Sequence, residues 1–235
     1  MIKPITTLFM LMSVDGKIST GSTDNRDVDK DFPHIEGISN GLNQYYDIEK
    51  TTDLFSMNSG KVMVKVGANE LKENITKQPV SFIIIDNHPH LNSIGVDYFI
   101  RRSNKFFLVT TNKEHPAFQR NKESNLHIIY YKDHIDFIDL FEKLKNVYKI
   151  DQMTIQTGGT LNSILLRKKL IDKLNIVIAP ALIGGKDTAT LVDGKSLQES
   201  KELEYIKALK LIEVNTLNDS YLQLKYEIIN DTLLN

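Results

Sequence analysis

The segment Thr157-Gly158-Gly159-Thr160-Leu161-Asn162-Ser163 holds the residue types best suited to binding a phosphate. It follows a short β-rich run and opens a helical one. Two adjacent glycines let a backbone or a ligand come close with no Cβ in the way. The N–H groups that start the next helix lack intrahelical partners, and the helix dipole favours an anion there. A dinucleotide pyrophosphate suits that chemistry. A glycine-rich turn capped by Thr160 or Ser163 suits the same residues. No G-x-G-x-x-G occurs, so this is not the Rossmann fingerprint.

A second group is Met12-Ser13-Val14-Asp15-Gly16-Lys17-Ile18, directly after the apolar run 6–12. In open α/β sheets ligands sit beyond the carboxyl ends of the strands. That place makes Asp15 the candidate catalytic, substrate-orienting group, with Ser13 beside it. Asp15-Gly16 equally makes a simple turn. The polar stretch 13–31 is too long for a turn and is a candidate lid. A third segment, Ile178-Ala179-Pro180-Ala181-Leu182-Ile183-Gly184-Gly185, reads as a strand end and loop. Six histidines form no HExxH pair, and no metal site is expected. No G-x-S-x-G elbow marks a hydrolase, and a chain without cysteine has no thiolate nucleophile or disulfide.

These groups need strands and helices to position them. Buried-looking strands are expected at 6–12, 61–66, 80–86, 105–110, 126–131, 152–156 and 174–179. Helices are expected at 40–55, 135–148 and 161–169. Their alternation implies an α/β fold with a mostly parallel sheet. Strands at 208–214 and 221–229, with no helix between them, imply an antiparallel C-terminal hairpin. Its second strand alternates Leu222, Leu224, Tyr226 and Ile228 with polar residues, which implies one apolar face.

The 235 residues suffice for one large domain, read here as a single domain over 1–235, burying roughly 70–75% of the unfolded surface. Lys and Arg total 29 against 30 Asp and Glu, a net charge of −1, so no global field draws the chain to nucleic acid or anionic lipid. No apolar run is long enough to span a bilayer, and no leader pattern opens the chain. A cytoplasmic protein with a small-molecule substrate, and neither nucleic acid nor membrane as partner, is the expectation.

Taken in order, "MSVDGKI", a glycine after a β-rich run, and "TGGTLNSILLRKKLIDKLNIVIAPALIGG" resemble the reductase domain of the riboflavin-biosynthesis deaminase–reductase and its stand-alone pyrimidine-reductase relatives. The resemblance runs along nearly the whole chain and is most specific over 156–185. It implies a dihydrofolate-reductase-like three-layer fold, NADPH as cofactor, a homodimer, and reduction of a ribosylamino-pyrimidine phosphate by hydride transfer. By position it implies that Gly158, Gly159, Thr160, Leu161 and Asn162 hold the cofactor phosphates. Leu11 and Met12 would lie against the nicotinamide, and Gly67, Glu70 and Asn87 near the cofactor. Thr111, Asn112 and Lys113 are candidates for the 2′-phosphate. Ser13, Asp15, Gln156 and Thr157 would meet substrate. The family often carries a glutamate where Gln156 stands and an arginine in the stretch aligned with 70–77; this chain has neither, and no Trp. That pattern also fits a dihydropterin-type reductase or a non-catalytic NADPH-binding paralogue.

Overall fold

A computed structural model describes residues 2–232. Its strands are β1 (Ile5–Ser13), β2 (Phe55–Ser59), β3 (Ser81–Ile85), β4 (Phe106–Thr110), β5 (Leu126–Tyr130), β6 (Gln152–Gln156), β7 (Lys173–Ala179), β8 (Ala208–Thr216) and β9 (Leu222–Ile229). Its α-helices are α1 (Val28–Asp31), α2 (Asn43–Glu49), α3 (Gly60–Lys65), α4 (Ser93–Arg102), α5 (Phe137–Asn146) and α6 (Gly159–Arg167). They fall into two compact units. One comprises Asp53–Thr157 with the residues up to Pro4; the other comprises Ile5–Thr52 and Gly158–Asn235.

In the first unit the strands lie in the order β5-β4-β3-β2-β6, all parallel. β4 is buried at all five positions, as a strand covered on both faces must be. Phe106 and Leu108 pack with Val96, Phe99 and Ile100 of α4. Phe107 stacks on His127 and meets the edge of Tyr148. α5 buries Phe137, Leu140, Phe141 and Leu144, an i, i+3, i+4, i+7 stripe that begins behind an Asp136 cap.

In the second unit the order is β1-β7-β9-β8, with β1 and β7 parallel and the last two strands antiparallel. Its core joins Phe9 and Leu11 of β1 to Val28, Phe32, Leu42, Tyr45, Val177 and Tyr221. Phe9 stacks flat on Tyr45 with ring centroids 5.0 Å apart. Tyr221 is fully buried and donates its hydroxyl to the Ile38 carbonyl at 2.6 Å. Burying each such ring contributes about 1.5–3 kcal/mol.

The parallel strands and the antiparallel C-terminal pair follow the expectation from sequence. Three local expectations do not hold. Residues 61–66, expected as a strand, form α3: the Ser59 hydroxyl accepts the Val62 N–H at its start, and Gly67 at φ +85° ends it. The strand beside it is the preceding run, β2, which overlaps the helix expected over 40–55 only at Phe55 and was otherwise assigned to no element. That helix is only α2, because Thr51 and Thr52 turn their hydroxyls back onto the carbonyls of Ile48 and Glu49. α4 was not foreseen; Asn92 caps it by accepting from the N–H groups of Ile94 and Gly95. The hairpin forms; Leu209, Leu211, Ile212 and Val214 of β8 lie exposed, while on β9 Ile228 is buried and Leu224 and Tyr226 are half-buried. Among the described residues no helix is long and apolar enough to cross a membrane.

Candidate functional site

In the second unit Gly158 and Gly159 open α6. Gly158 is the N-cap residue in extended conformation and has no side chain to cap the helix, while Thr160 and Ser163 lie inside it. The capping alternative therefore fails here. Thr160 is exposed, while Asn162 and Ser163 are buried. Asn162 donates its amide to the Leu191 carbonyl at 2.8 Å. Gly159 is backed by residues 190–193: a Cβ there would collide with the Thr190 carbonyl and the Asp193 carboxylate. The Asp193 N–H donates to the Gly159 carbonyl at 3.0 Å, and its carboxylate accepts from the N–H and hydroxyl of Thr190. At Gly158, by contrast, no protein atom lies within 4 Å of where a Cβ would stand. The turn is held from behind and open in front, and its uncapped N–H groups suit a phosphate.

Ser13 ends β1 fully buried. Its hydroxyl donates to Asp15 Oδ1 at 2.5 Å and accepts the Lys17 N–H at 2.9 Å. Asp15 also accepts the N–H groups of Ile183 at 3.1 Å and Gly184 at 2.6 Å. The Ser13 hydroxyl first, and these backbone donors with it, pull the Asp15 carboxyl down to about 2. Lys17 Nζ donates to the carbonyls of Gly185 and Thr188. Asp15 and Lys17 thus clasp the loop after β7, the third segment in which sequence showed no role. Ile18 donates its N–H to Ala189, and Leu191 its own to Gly16. These bonds tie the start of the 13–31 stretch down. Leu11 points into the core, while Met12 is half-buried.

In the first unit Gln156 ends β6 beside Asn58 of β2. A directional chain runs there: Asn58 Nδ2 donates to Ser56 Oγ at 2.9 Å, and Ser56 Oγ donates to Gln156 Oε1 at 3.0 Å. Ser56, Asn58 and Thr157 are buried. Asn87 accepts the Thr111 N–H at 3.1 Å, which joins the loops after β3 and β4. Asn112 accepts the Glu114 N–H, and Lys113 Nζ lies 5.5 Å from the Tyr130 ring centroid. Gly67 terminates α3, with Glu70 folded against it.

Sequence reasoning missed a buried cluster in the same unit. The Asp86 side chain, with no exposed surface, accepts from His115 Nε2 at 3.1 Å, from His90 Nδ1 at 2.8 Å and from the N–H groups of His90 and Leu91. His115 Nδ1 accepts the Ala117 N–H, so Nε2 carries the proton. Burial pushes the Asp86 carboxyl up, but these donors outweigh it and hold it below its ordinary value. Gly60 is packed so closely on this carboxylate that a Cβ would clash. The only local signal was an acid ending an apolar strand near His-Pro-His. Among the described residues no three acids or histidines are placed to hold a metal.

Mostly parallel strands with an antiparallel C-terminal pair put the chain in the mixed α/β class, and comparison with known proteins narrows it. Residues 4–222 match the RibD C-terminal domain, and the chain belongs to that family. It is 37% identical over 65 residues to a 2,5-diamino-6-ribosylamino-4(3H)-pyrimidinone 5′-phosphate reductase of Methanothermobacter thermautotrophicus, covering 28% of this chain and 30% of that protein. It is 29% identical over 96 residues to the riboflavin biosynthesis protein RibD of Actinobacillus pleuropneumoniae, covering 41% of this chain and 24% of that protein. The matched segments thus span less than a third of either relative. In fold the chain resembles Acinetobacter baumannii RibD, with TM-score 0.67 at 16% identity over 96% of this chain and 58% of that one. It likewise resembles the Saccharomyces riboflavin biosynthesis reductase Rib7, with TM-score 0.60 at 18% identity over 97% and 91%.

Proposed function

We propose that residues 1–235 act as one reductase domain that binds NADPH and reduces a ribosylamino-pyrimidine phosphate or a closely related heterocycle. The observation that carries this reading is the glycine turn. It pairs an uncapped helix start with an open Gly158 and a backed Gly159, in a chain of the RibD C-terminal family. Gly158, Gly159, Thr160, Leu161 and Asn162 would hold cofactor phosphate through backbone N–H groups. Met12 and the backbone of Leu11 would lie against the nicotinamide, and Gly67 and Asn87 near the cofactor. When bound, NADPH supplies the hydride.

The remaining work falls to side chains. Ser13, Gln156 and Thr157 would orient substrate. Asp15 is ionised throughout the neutral range, so in this reading it orients through charge and hydrogen bonding and donates no proton. A homodimer belongs to the same reading, with the exposed edge strand β8 as the surface for the second copy. A cytoplasmic setting accompanies it. The test is NADPH oxidation, followed by near-UV absorbance, with the ribosylamino-pyrimidine phosphate as substrate. Turnover supports the reading. NADPH binding without turnover on this substrate keeps the cofactor reading and moves the search to other heterocycles, dihydropterins among them, or to a non-catalytic role.

A further inference from the structure

The second unit carries a groove of about 550 Å³ to which neither the sequence nor the proposed chemistry assigns a role. It is walled by the last turn of α6, by residues 192–197 and by the approach to β8. Three cations line it: Arg167, Lys195 and Lys207. Arg167 is held in place from two sides. Its Nη2 donates to the Lys195 carbonyl at 2.5 Å, and its guanidinium lies 5.4 Å from the centroid of the Tyr205 ring. A guanidinium fixed in this way loses little freedom on binding an anion. Lys207 is half-buried and donates to the carbonyls of Glu204 and Asn230, neither of which carries charge.

The acids in and near the groove already accept hydrogen bonds; Asp193 is the one that lines it. Asp193 is held by Thr190. Glu202 accepts the N–H groups of Gln198 and Glu199, with Arg167 close enough to favour its ionised form. Glu204 lies near Lys207, and Asp231 pairs with Lys169. Beside the cations, Leu166, Leu197 and Ile206 give the wall an apolar stretch. Pockets of a few hundred Å³ that combine apolar wall with a few polar anchors are those that take small molecules.

We infer that this groove binds a small organic phosphomonoester, its phosphate on Arg167, Lys195 and Lys207 and its apolar body along Leu166 and Ile206. An arginine fork with two lysines matches a phosphate's several acceptor oxygens better than a single carboxylate. The site adjoins the back of the glycine turn through Ser163 and Asp193 and does not depend on the NADPH reading.

The test is an NMR titration of the full, ¹⁵N-labelled chain with phenyl phosphate and, separately, with inorganic phosphate. The expected result is saturable shifts of the Gly194, Lys195, Tyr205 and Lys207 amides, with phenyl phosphate the tighter ligand. Lys195→Gln and Arg167→Gln should each weaken binding about tenfold, the loss of one charge-assisted contact. Lys201→Gln, outside the groove, should leave it unchanged. Lys195 is exposed, so its variant folds regardless of the role of Arg167. Shifts confined to Gly158–Asn162, shifts that do not saturate, or equal affinity in the Lys195 variant would overturn the inference. Inorganic phosphate binding as tightly as phenyl phosphate would overturn it too, since the apolar wall would then contribute nothing.

Discussion

The Ser13 hydroxyl donates to the Asp15 carboxylate at 2.5 Å, and the same carboxylate receives the N–H groups of Ile183 and Gly184. One side chain therefore joins the end of β1 to the loop after β7. A carboxyl lowered from 3.8 to about 2 contributes stability that is present above the unfolded value and is lost as pH falls through the folded one. Between pH 4 and 9 Asp15 should stay ionised. The rate of NADPH oxidation over that range should show no ionisation belonging to Asp15, and Asp15→Asn should keep the profile's shape while lowering its height. Amide exchange at Gly184 should speed up in that variant, because a carboxamide cannot accept from both backbone donors without turning its own N–H₂ toward one. A pH–rate limb that vanishes in Asp15→Asn would make the residue a proton donor instead.

The same loop shows where sequence reading succeeds and where it stops. Apolar runs such as Phe106–Thr110 are legible because a strand covered on both faces has one composition whatever its neighbours. The glycine turn before α6 is legible because adjacent glycines shape the backbone whatever surrounds them. The run Lys61-Val62-Met63-Val64-Lys65-Val66 misleads: six residues satisfy strand and helix alike, and the Ser59 cap with Gly67 decides for the helix. The Asp86 cluster was out of reach for another reason. His115 lies 29 positions away, and only the parallel pairing of β3 with β4 brings its loop onto Asp86. The hold of Thr190 and Asp193 on Gly159 is equally non-local.

The two glycines of the turn should separate when each gains a methyl group. Gly158→Ala meets open space at a φ of −73°, so stability should change by less than about 0.5 kcal/mol. Gly159→Ala drives a Cβ into the Thr190 carbonyl and should cost about 1–3 kcal/mol. If a cofactor phosphate rests on this turn, both variants should bind NADPH at least about tenfold more weakly, near 1.4 kcal/mol. Thermal melts with a fluorescence titration of NADPH check both. A Gly158→Ala protein of normal stability and normal NADPH affinity would remove the phosphate from this position.

Asp86→Ala leaves the protonated Nε2 of a fully buried His115 without its acceptor and should cost about 3 kcal/mol. Because its folded carboxyl lies below the ordinary value, the contribution of Asp86 is present above an unfolded value of about 3.9 and is lost as pH falls through the folded one. Urea melts should therefore show a wild-type advantage over Asp86→Ala that is constant from pH 5 to 8 and shrinks below pH 4. An advantage that instead changes through pH 6–7 would assign the dependence to histidine titration.

Gln156 offers the sharpest test of the substrate side. Ser56 donates its hydroxyl to the Gln156 carbonyl oxygen, and Asn58 fixes that hydroxyl's direction by donating to it. A carboxylate in place of this amide would still accept from Ser56, so Gln156→Glu should fold with a melting point close to wild type. It introduces a charge that a heterocycle must accommodate. NADPH affinity should therefore hold, while KM for the pyrimidine substrate changes by about 10- to 150-fold, the equivalent of the roughly 1.5–3 kcal/mol of a hydrogen bond to a charged group. Ser56→Ala removes the donor that sets the amide's orientation. It should raise KM in the wild-type background and matter less in the Gln156→Glu background, where the two carboxylate oxygens are equivalent acceptors. Steady-state kinetics on wild type, the two single variants and the double variant, with NADPH titrations alongside, measure this coupling. Effects on KM that simply add between the two positions would show that Ser56 does not act through residue 156.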